Sequence, residues 1–247
     1  MKVLILAAGY GTRLQALGLN NSKPLLEVGG QPLINFILDK VKNLPNLDQV
    51  LVVTNDKFFK SFEEWAKKQT QFPYKIVIVN DGTKTPEDRL GSIGDIEFVI
   101  RNKNVNDDIL VVGGDNLFDY SLEGYLKFSS GKTGVTIGLY DIGDLDQATK
   151  FGVVATDKNG KIISFEEKPQ KPKSTLIAMC CYYLPKDSLP VVAQYLKASG
   201  KNDTAGDYIR WLSERKDVFG FKFIGKWYDI GSIESYKEAQ QVFKKGG

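Results

Sequence analysis

Four short aliphatic runs, at residues 3–6, 50–53, 76–79 and 109–112, punctuate the first half of the chain. Each is strand length and apolar at nearly every position, the pattern of a strand buried on both faces. Helical patterns lie between them. Over 32–41, Leu33, Ile34, Ile37, Leu38 and Val41 share one face behind a proline at the first turn; 57–68 is a second helix and 93–100 a third. Alternating strand and helix predicts a largely parallel sheet with helices on both faces and ligands at the carboxyl ends of the strands.

After about residue 130 the rhythm changes. Strands are expected at 135–140, 153–156, 162–166, 176–184 and 221–224, separated by turns such as Asp157-Lys158-Asn159-Gly160. Helices are expected at 186–198, 205–215 and 232–244, the last opening on Ser232 as a cap. This half is mixed rather than parallel. No repeat or low-complexity linker interrupts the 247 residues, so a single domain over 1–247 is expected.

The charge balance is +3 with 26% charged residues, which gives no global field for nucleic acid or an anionic membrane. No apolar run approaches the roughly 20 residues that span a bilayer, and no signal-like segment follows Met1-Lys2, so a soluble, cytoplasmic protein is expected. The two cysteines, Cys180 and Cys181, are neighbours in sequence, which suits neither a structural disulfide nor a zinc site; both are read as buried thiols. There is no histidine. That removes the commonest general base, every triad built on imidazole and all histidine-ligated metals. Any catalysis must rest on carboxylates, cations and a hard metal ion.

The first buried run empties into Leu6-Ala7-Ala8-Gly9-Tyr10-Gly11-Thr12-Arg13-Leu14, with Lys23-Pro24 beyond it. Two glycines let the backbone turn sharply and bring its N–H groups to an anion, while Arg13 and Lys23 supply positive charge. A dinucleotide fingerprint needs a third glycine where Leu14 stands, and a P-loop needs Gly-Lys-Ser/Thr, which is absent. Two spaced cations suit a triphosphate better than a pyrophosphate seated on a helix dipole. At the end of the fourth run, Gly113-Gly114-Asp115-Asn116 offers a carboxylate beside glycines that permit close approach. Asp229, after Trp227-Tyr228, is a second acid from a distant segment. Two such carboxylates are what a divalent ion bridging phosphates requires.

Together these segments resemble the sugar-1-phosphate nucleotidylyltransferases, or NDP-sugar pyrophosphorylases, over residues 1–236. The family's Leu-Ala-Ala/Gly-Gly-x-Gly-Thr-Arg-Leu and Lys-Pro match Leu6 to Leu14 and Lys23-Pro24; its Gly-Asp-Asn matches Gly114 to Asn116. Its Phe/Tyr-Gly-Val-Val matches Phe151 to Val154, its Glu-Lys-Pro Glu167 to Pro169, and its Trp-x-Asp-x-Gly Trp227 to Gly231. The resemblance implies a three-layer α/β/α sandwich around a Rossmann-like, mixed but mostly parallel sheet, the nucleotide-diphospho-sugar transferase fold. It implies an NTP in the half 1–130, held by Ala7, Ala8, Gly9, Gly11, Thr12, Arg13, Asp81, Gly82 and Gly91. A sugar-1-phosphate in the half 131–247 would meet Gly152, Glu167 and Lys168. Arg13, Lys23, Asp115 and Lys168 would be the catalytic set, and Asp115 and Asp229 would hold Mg2+. Neither nucleic acid nor membrane is an expected partner; a homo-oligomer is left open.

Two departures bear on specificity. The glutamine with which the family reads the base, five residues before the glycine of a Gly-Thr/Leu-Ala segment, is replaced by Pro86 ahead of Leu90-Gly91-Ser92. The family's Asn-Thr/Ala-Gly-Ile-Tyr, whose asparagine contacts sugar hydroxyls, appears as Ala178-Met179-Cys180-Cys181-Tyr182. Base and acceptor stay open. A cytidylyltransferase for a phosphorylated alcohol or phosphonate is the alternative enzyme, and an inert nucleotide or sugar-phosphate sensor the alternative outside catalysis.

Overall fold

A computed structural model describes residues 1–12, 21–200, 204–231 and 233–243. The fold is α/β, with a mixed, mostly parallel sheet. The chain divides into two compact units. One comprises Met1–Gly91, Val112–Asp119 and Gly225–Gly247, the other Ser92–Val111 and Tyr120–Ile224.

The first unit opens with β1 (Lys2–Leu6), whose Val3, Leu4 and Ile5 are fully buried. After a single 3-10 turn at Lys23–Leu25 come the two-residue strands β2 (Glu27–Val28) and β3 (Gln31–Pro32), and then α1 (Leu33–Val41). Pro32 stands at the N-cap, and the five apolar residues of the expected stripe are all buried. Next come β4 (Gln49–Thr54), α2 (Phe59–Lys67) and β5 (Lys75–Asn80). β4 pairs in parallel with β1, Val3 opposite Val50, and with β5, Val50 opposite Ile76. Asn55 starts α2 by accepting from the Phe58 amide at 3.2 Å, and α2 then buries Phe62 and Trp65.

The second unit begins within α3 (Gly91–Asn102) and continues into β6 (Ile109–Gly113), whose last two residues belong to the first unit, as does β7 (Asn116–Phe118). It then runs through α4 (Glu123–Ser130), β8 (Val135–Asp141), the short α5 (Leu145–Ala148), β9 (Gly152–Thr156), β10 (Ile162–Glu167) and β11 (Leu176–Leu184). α6 (Leu189–Ser199), α7 (Ala205–Ser213) and β12 (Val218–Lys222) complete it. β9–β10, β8–β11 and β9–β11 pair antiparallel, and β12 joins β8 in parallel. The expected turn at 157–160 is there: Asp157 Oδ1 accepts from the amides of Asn159 and Lys161, and Gly160 has φ +80°. The strand expected at 221–224 lies instead at Val218–Lys222, because Val218 to Lys222 align with Val135 to Leu139. Phe223 turns inward beyond the strand, while Ile224 is 87% exposed.

The chain returns to the first unit with β13 (Trp227–Asp229) and α8 (Ile233–Val242). Ser232, the expected cap, lies outside the described residues. β13 pairs antiparallel with β7, setting Asp229 opposite Asn116. A small core ties this segment down: Val28, Leu33, Leu117, Ile230 and Ala239 are fully buried, with Phe36, Tyr228, Tyr236 and Phe243 against them. Tyr236 and Gln240 both donate to the Glu27 carbonyl, at 2.7 and 2.6 Å. Leu117→Ala would open a cavity there and is expected to cost about 2–5 kcal/mol in chemical denaturation; a loss under about 0.5 kcal/mol would mean that the core does not hold β7 and β13 together.

Candidate functional site

At the carboxyl end of β1 the chain leaves the sheet as the glycine loop. The Ala7 amide still donates to Val53 O at 2.9 Å, and Asn55 Nδ2 donates to Ala8 O at 2.9 Å, so β4 holds the loop's first residues. Gly11 has φ +61°, in the left-handed region where a side chain is disfavoured. Tyr10 donates its hydroxyl to Thr83 Oγ1 at 3.1 Å, and Thr83 in turn donates to Asp81 Oδ1 through its amide (2.7 Å) and hydroxyl (2.8 Å). Burial raises the Tyr10 pKa, and the Asp88, Asp81 and Asp56 charges add to this against the opposing Thr83 hydrogen bond. The phenol is therefore a neutral donor that pins the glycine loop to the loop after β5.

The adjoining strand end is set by a close approach. The Gly114 amide donates to Leu6 O at 2.8 Å. A Cβ at Gly114 would lie 2.7 Å from both Leu6 O and Pro24 Cγ, inside van der Waals contact, so only glycine fits. The next residue, Asp115, meets Lys23, whose Nζ lies 3.4 Å from Asp115 Oδ2. Their side chains are 23% and 35% exposed, so both charges are open to solvent and to a ligand. Asp229 comes to the same place through β13, where the Ile230 amide donates to Asp115 O at 3.1 Å. Asn116 Oδ1 accepts from Trp227 Nε1 at 2.7 Å, while its Nδ2 donates to Gly113 O at 3.2 Å.

The glycine loop, Lys23 and Asp115 border a cavity of about 290 Å³, lined by Leu6, Ala7, Gly9, Tyr10, Gly11, Thr12, Lys23, Pro24, Pro86, Arg89 and Asp115; Asp229 is not in its lining. Six of the expected nucleotide and catalytic positions are thus gathered: Ala7, Gly9, Gly11, Thr12, Lys23 and Asp115. Ala8 is buried behind them with its carbonyl on Asn55. Arg13 lies outside the described residues. Asp81, Gly82 and Gly91 do not line the cavity; Asp81 is 7% exposed and turned to Thr83. Pro86 and Arg89 stand there instead. The signal for Arg89 was its place in the enlarged loop just before Leu90-Gly91.

Asp115 and Asp229 are the carboxylates that could hold a magnesium ion. Among the described residues no group of three or more acidic, cysteine or histidine side chains forms a metal cage. A pair of strand-end carboxylates is the donor set magnesium takes when substrate phosphates and water complete its shell.

In the second unit Gly152, Glu167 and Lys168 come together. A Cβ at Gly152 would press on the Phe165 ring and lie 3.1 Å from Glu167 Oε2, and one at Gly206, in the first turn of α7, would overlap the same carboxylate. Lys168 has φ +45°, a left-handed geometry that costs a lysine about 1–3 kcal/mol. Its amide donates to Phe151 O at 3.0 Å, and Nζ lies 3.6 Å from Glu167 Oε1, on a side chain that is 61% exposed. Burial raises the Glu167 pKa, against the lowering charge of Lys168.

A carboxyl group with a raised folded pKa adds stability at pH below its unfolded value, and that stability is lost as pH rises through the folded value. Glu167→Gln is therefore expected to gain stability relative to the wild type between pH 4 and 7 in denaturant titrations; a constant difference would contradict the assignment. Tyr10→Phe is expected to cost about 1 kcal/mol by the same measurement and to weaken nucleotide binding; unchanged binding would mean that the clamp does not shape the cavity.

The sequence profile of the nucleotidyl transferase family matches residues 2–246. Among curated proteins, the bifunctional protein GlmU of Methanocaldococcus jannaschii is 29% identical over 242 residues, covering 98% of this chain and 54% of its own length. The chain thus spans about half of that relative. Among solved structures, a Bacillus anthracis protein assigned as a glucose-1-phosphate thymidylyltransferase, crystallised with a sucrose, superposes with a TM-score of 0.86 at 23% identity. It covers 100% of this chain and 96% of its own. A UDP-glucose pyrophosphorylase complexed with UDP-glucose follows at 0.83 and 21%, covering 99% and 98%. At such identities the superpositions establish the fold.

Proposed function

Because the chain belongs to the nucleotidyl transferase family, we propose that it joins an NTP to a sugar-1-phosphate, giving an NDP-sugar and pyrophosphate. The observation that carries this reading is the Lys23–Asp115 pair at 3.4 Å beside the glycine loop. It sets a cation for phosphate and an anion for metal at one strand-end cavity. The relatives point the same way, since the two superposing structures are named for glucose-1-phosphate and UDP-glucose chemistry.

The first unit takes the NTP. Backbone amides of Gly9 to Thr12 and the Lys23 ammonium neutralise the phosphates, with Arg13 assigned to the triphosphate and the departing pyrophosphate. The acceptor's phosphate oxygen attacks the α-phosphorus as the bond to pyrophosphate breaks. A phosphate is already an anion near neutral pH, so no proton has to be removed. A chain with no histidine suits such a reaction. What remains is to overcome repulsion between anions and to hold them in line. Asp115 and Asp229 would hold Mg2+, which supplies charge neutralisation across the phosphates when bound. In the second unit Lys168, whose side chain is largely exposed, takes the acceptor's phosphate. Glu167, half-buried beside Gly152, accepts from its hydroxyl groups.

Two results test the assignment. A panel of NTPs against sugar-1-phosphates, with phosphocholine and a phosphonate included, is read by pyrophosphate release; at least one sugar-1-phosphate is expected to give magnesium-dependent product. Turnover only with phosphocholine or the phosphonate would favour the alternative suggested by Ala178, and no turnover with any pair would contradict the proposal. Asp115→Ala and Asp229→Ala are each expected to lower kcat by about 100-fold or more with the melting curve preserved, and full activity in either would move the metal elsewhere.

A further inference from the structure

We propose that Arg89 reads the base of the bound nucleotide and selects guanine, an inference that rests on the nucleotide reading of the first unit's cavity. The strand ends of this unit lie in the order β6, β1, β4, β5. Lys23, Asp115 and the glycine loop belong to the β6–β1 end of that row, whereas Pro86 and Arg89 belong to the loop that follows β5. Strands about 4.8 Å apart put roughly 14 Å between the end of β6 and the end of β5. A nucleotide with its phosphates at Lys23 and Asp115 and its length along this row brings its base to Pro86 and Arg89.

The loop carrying Arg89 is held in shape before any ligand arrives. Asp88 accepts from the amide of Lys84 (3.1 Å) and from the amide and hydroxyl of Thr85 (2.8 and 3.2 Å). The polar groups nearby are spent on the protein itself. Asn80 donates to Asp56 at 2.8 Å and accepts from the Gly82 amide at 2.9 Å, and Asp81 Oδ1 accepts twice from Thr83. Pro86 has no N–H and offers an apolar ring. Among the described residues no hydrogen bond or ion pair occupies the Arg89 guanidinium, although it lines the cavity.

A guanidinium donates and does not accept. Guanine presents two adjacent acceptors, O6 and N7, that match the fork of an arginine. Adenine sets an amino donor beside N7, cytosine also presents an amino group, and uracil and thymine offer one carbonyl there. Cytosine's one pair of adjacent acceptors, O2 and N3, begins beside the ribose, so guanine alone offers two acceptors on an edge facing away from the sugar, where both arms bond in one plane.

The test is calorimetric titration of the wild-type protein with GTP, ATP, CTP, UTP and dTTP, each with Mg2+, repeated on R89Q and R89K, with melting curves to confirm folding. GTP is expected to bind about 10- to 100-fold tighter than the other four. R89Q should lose that preference while binding of the others stays within about twofold, and R89K, a point charge without the planar fork, should lose most of it. A wild type that binds any other NTP more tightly than GTP overturns the proposal. So does an R89Q that weakens all five alike, since that marks a phosphate contact. Titration does not depend on turnover, so preferential GTP binding with no pyrophosphate released from any sugar-1-phosphate contradicts the transfer reaction and leaves base selection standing. A protein that binds none of the five contradicts both.

Discussion

The amide of Gly114 reaches the carbonyl of Leu6 at 2.8 Å, and the candidate nucleotide site depends on how closely those two strand ends meet. No side chain fits between Gly114, Leu6 and Pro24. Because Pro24 is part of this contact, its neighbour Lys23 is fixed beside Asp115. An ammonium and a carboxylate 3.4 Å apart at a partly exposed position add little stability by themselves. Their value is positional. In the proposed reaction each would be held ready for a ligand that carries both negative charge and a cation.

The surrounding contacts keep this arrangement stiff. Asn55, just after β4, bonds the glycine loop and the start of α2, and Tyr10 links that loop through Thr83 to Asp81. The chain's last segment returns through β13, and its burial with Leu33 and Leu117 brings Asp229 opposite Asn116. Asp115 and Asp229, far apart in sequence, come to adjoining backbone positions because a two-strand ladder and a small apolar core place them so. Preorganisation of this kind matters for phosphoryl transfer, where the protein contributes mainly position and charge.

Much of this was legible in the sequence, for physical reasons. β1, β4 and β6 are buried on both faces and so show as unbroken aliphatic runs; β5 shows the same run although, at the sheet edge, only its Val79 is buried. α1 carries its stripe at helical spacing. Gly9, Gly11, Lys23, Gly114 and Asp115 were legible because their chemistry is local: turn, charge, close approach. The short β7 and β13 were not, since three-residue strands carry no periodic signal and exist by pairing with each other. The edge of β12 was displaced because alignment with β8, rather than the apolar content of Phe223 and Ile224, decides where pairing stops. Arg89 was passed over for Asp81 and Gly82. Those two sit in a suggestive sequence, yet Asp81 is spent on Thr83, whereas Arg89 gained its place from a loop shape that only the Asp88 hydrogen bonds create.

The β1 and β6 strand ends are proposed to form a metal–triphosphate site. A crystal structure of the protein with Mg2+ and its preferred NTP tests it most directly. The α-phosphate is expected beside Lys23, one metal ion between Asp115 and Asp229, and the glycine loop's amides on the phosphates. A nucleotide seated elsewhere, or a metal ion bound without either aspartate, would contradict it.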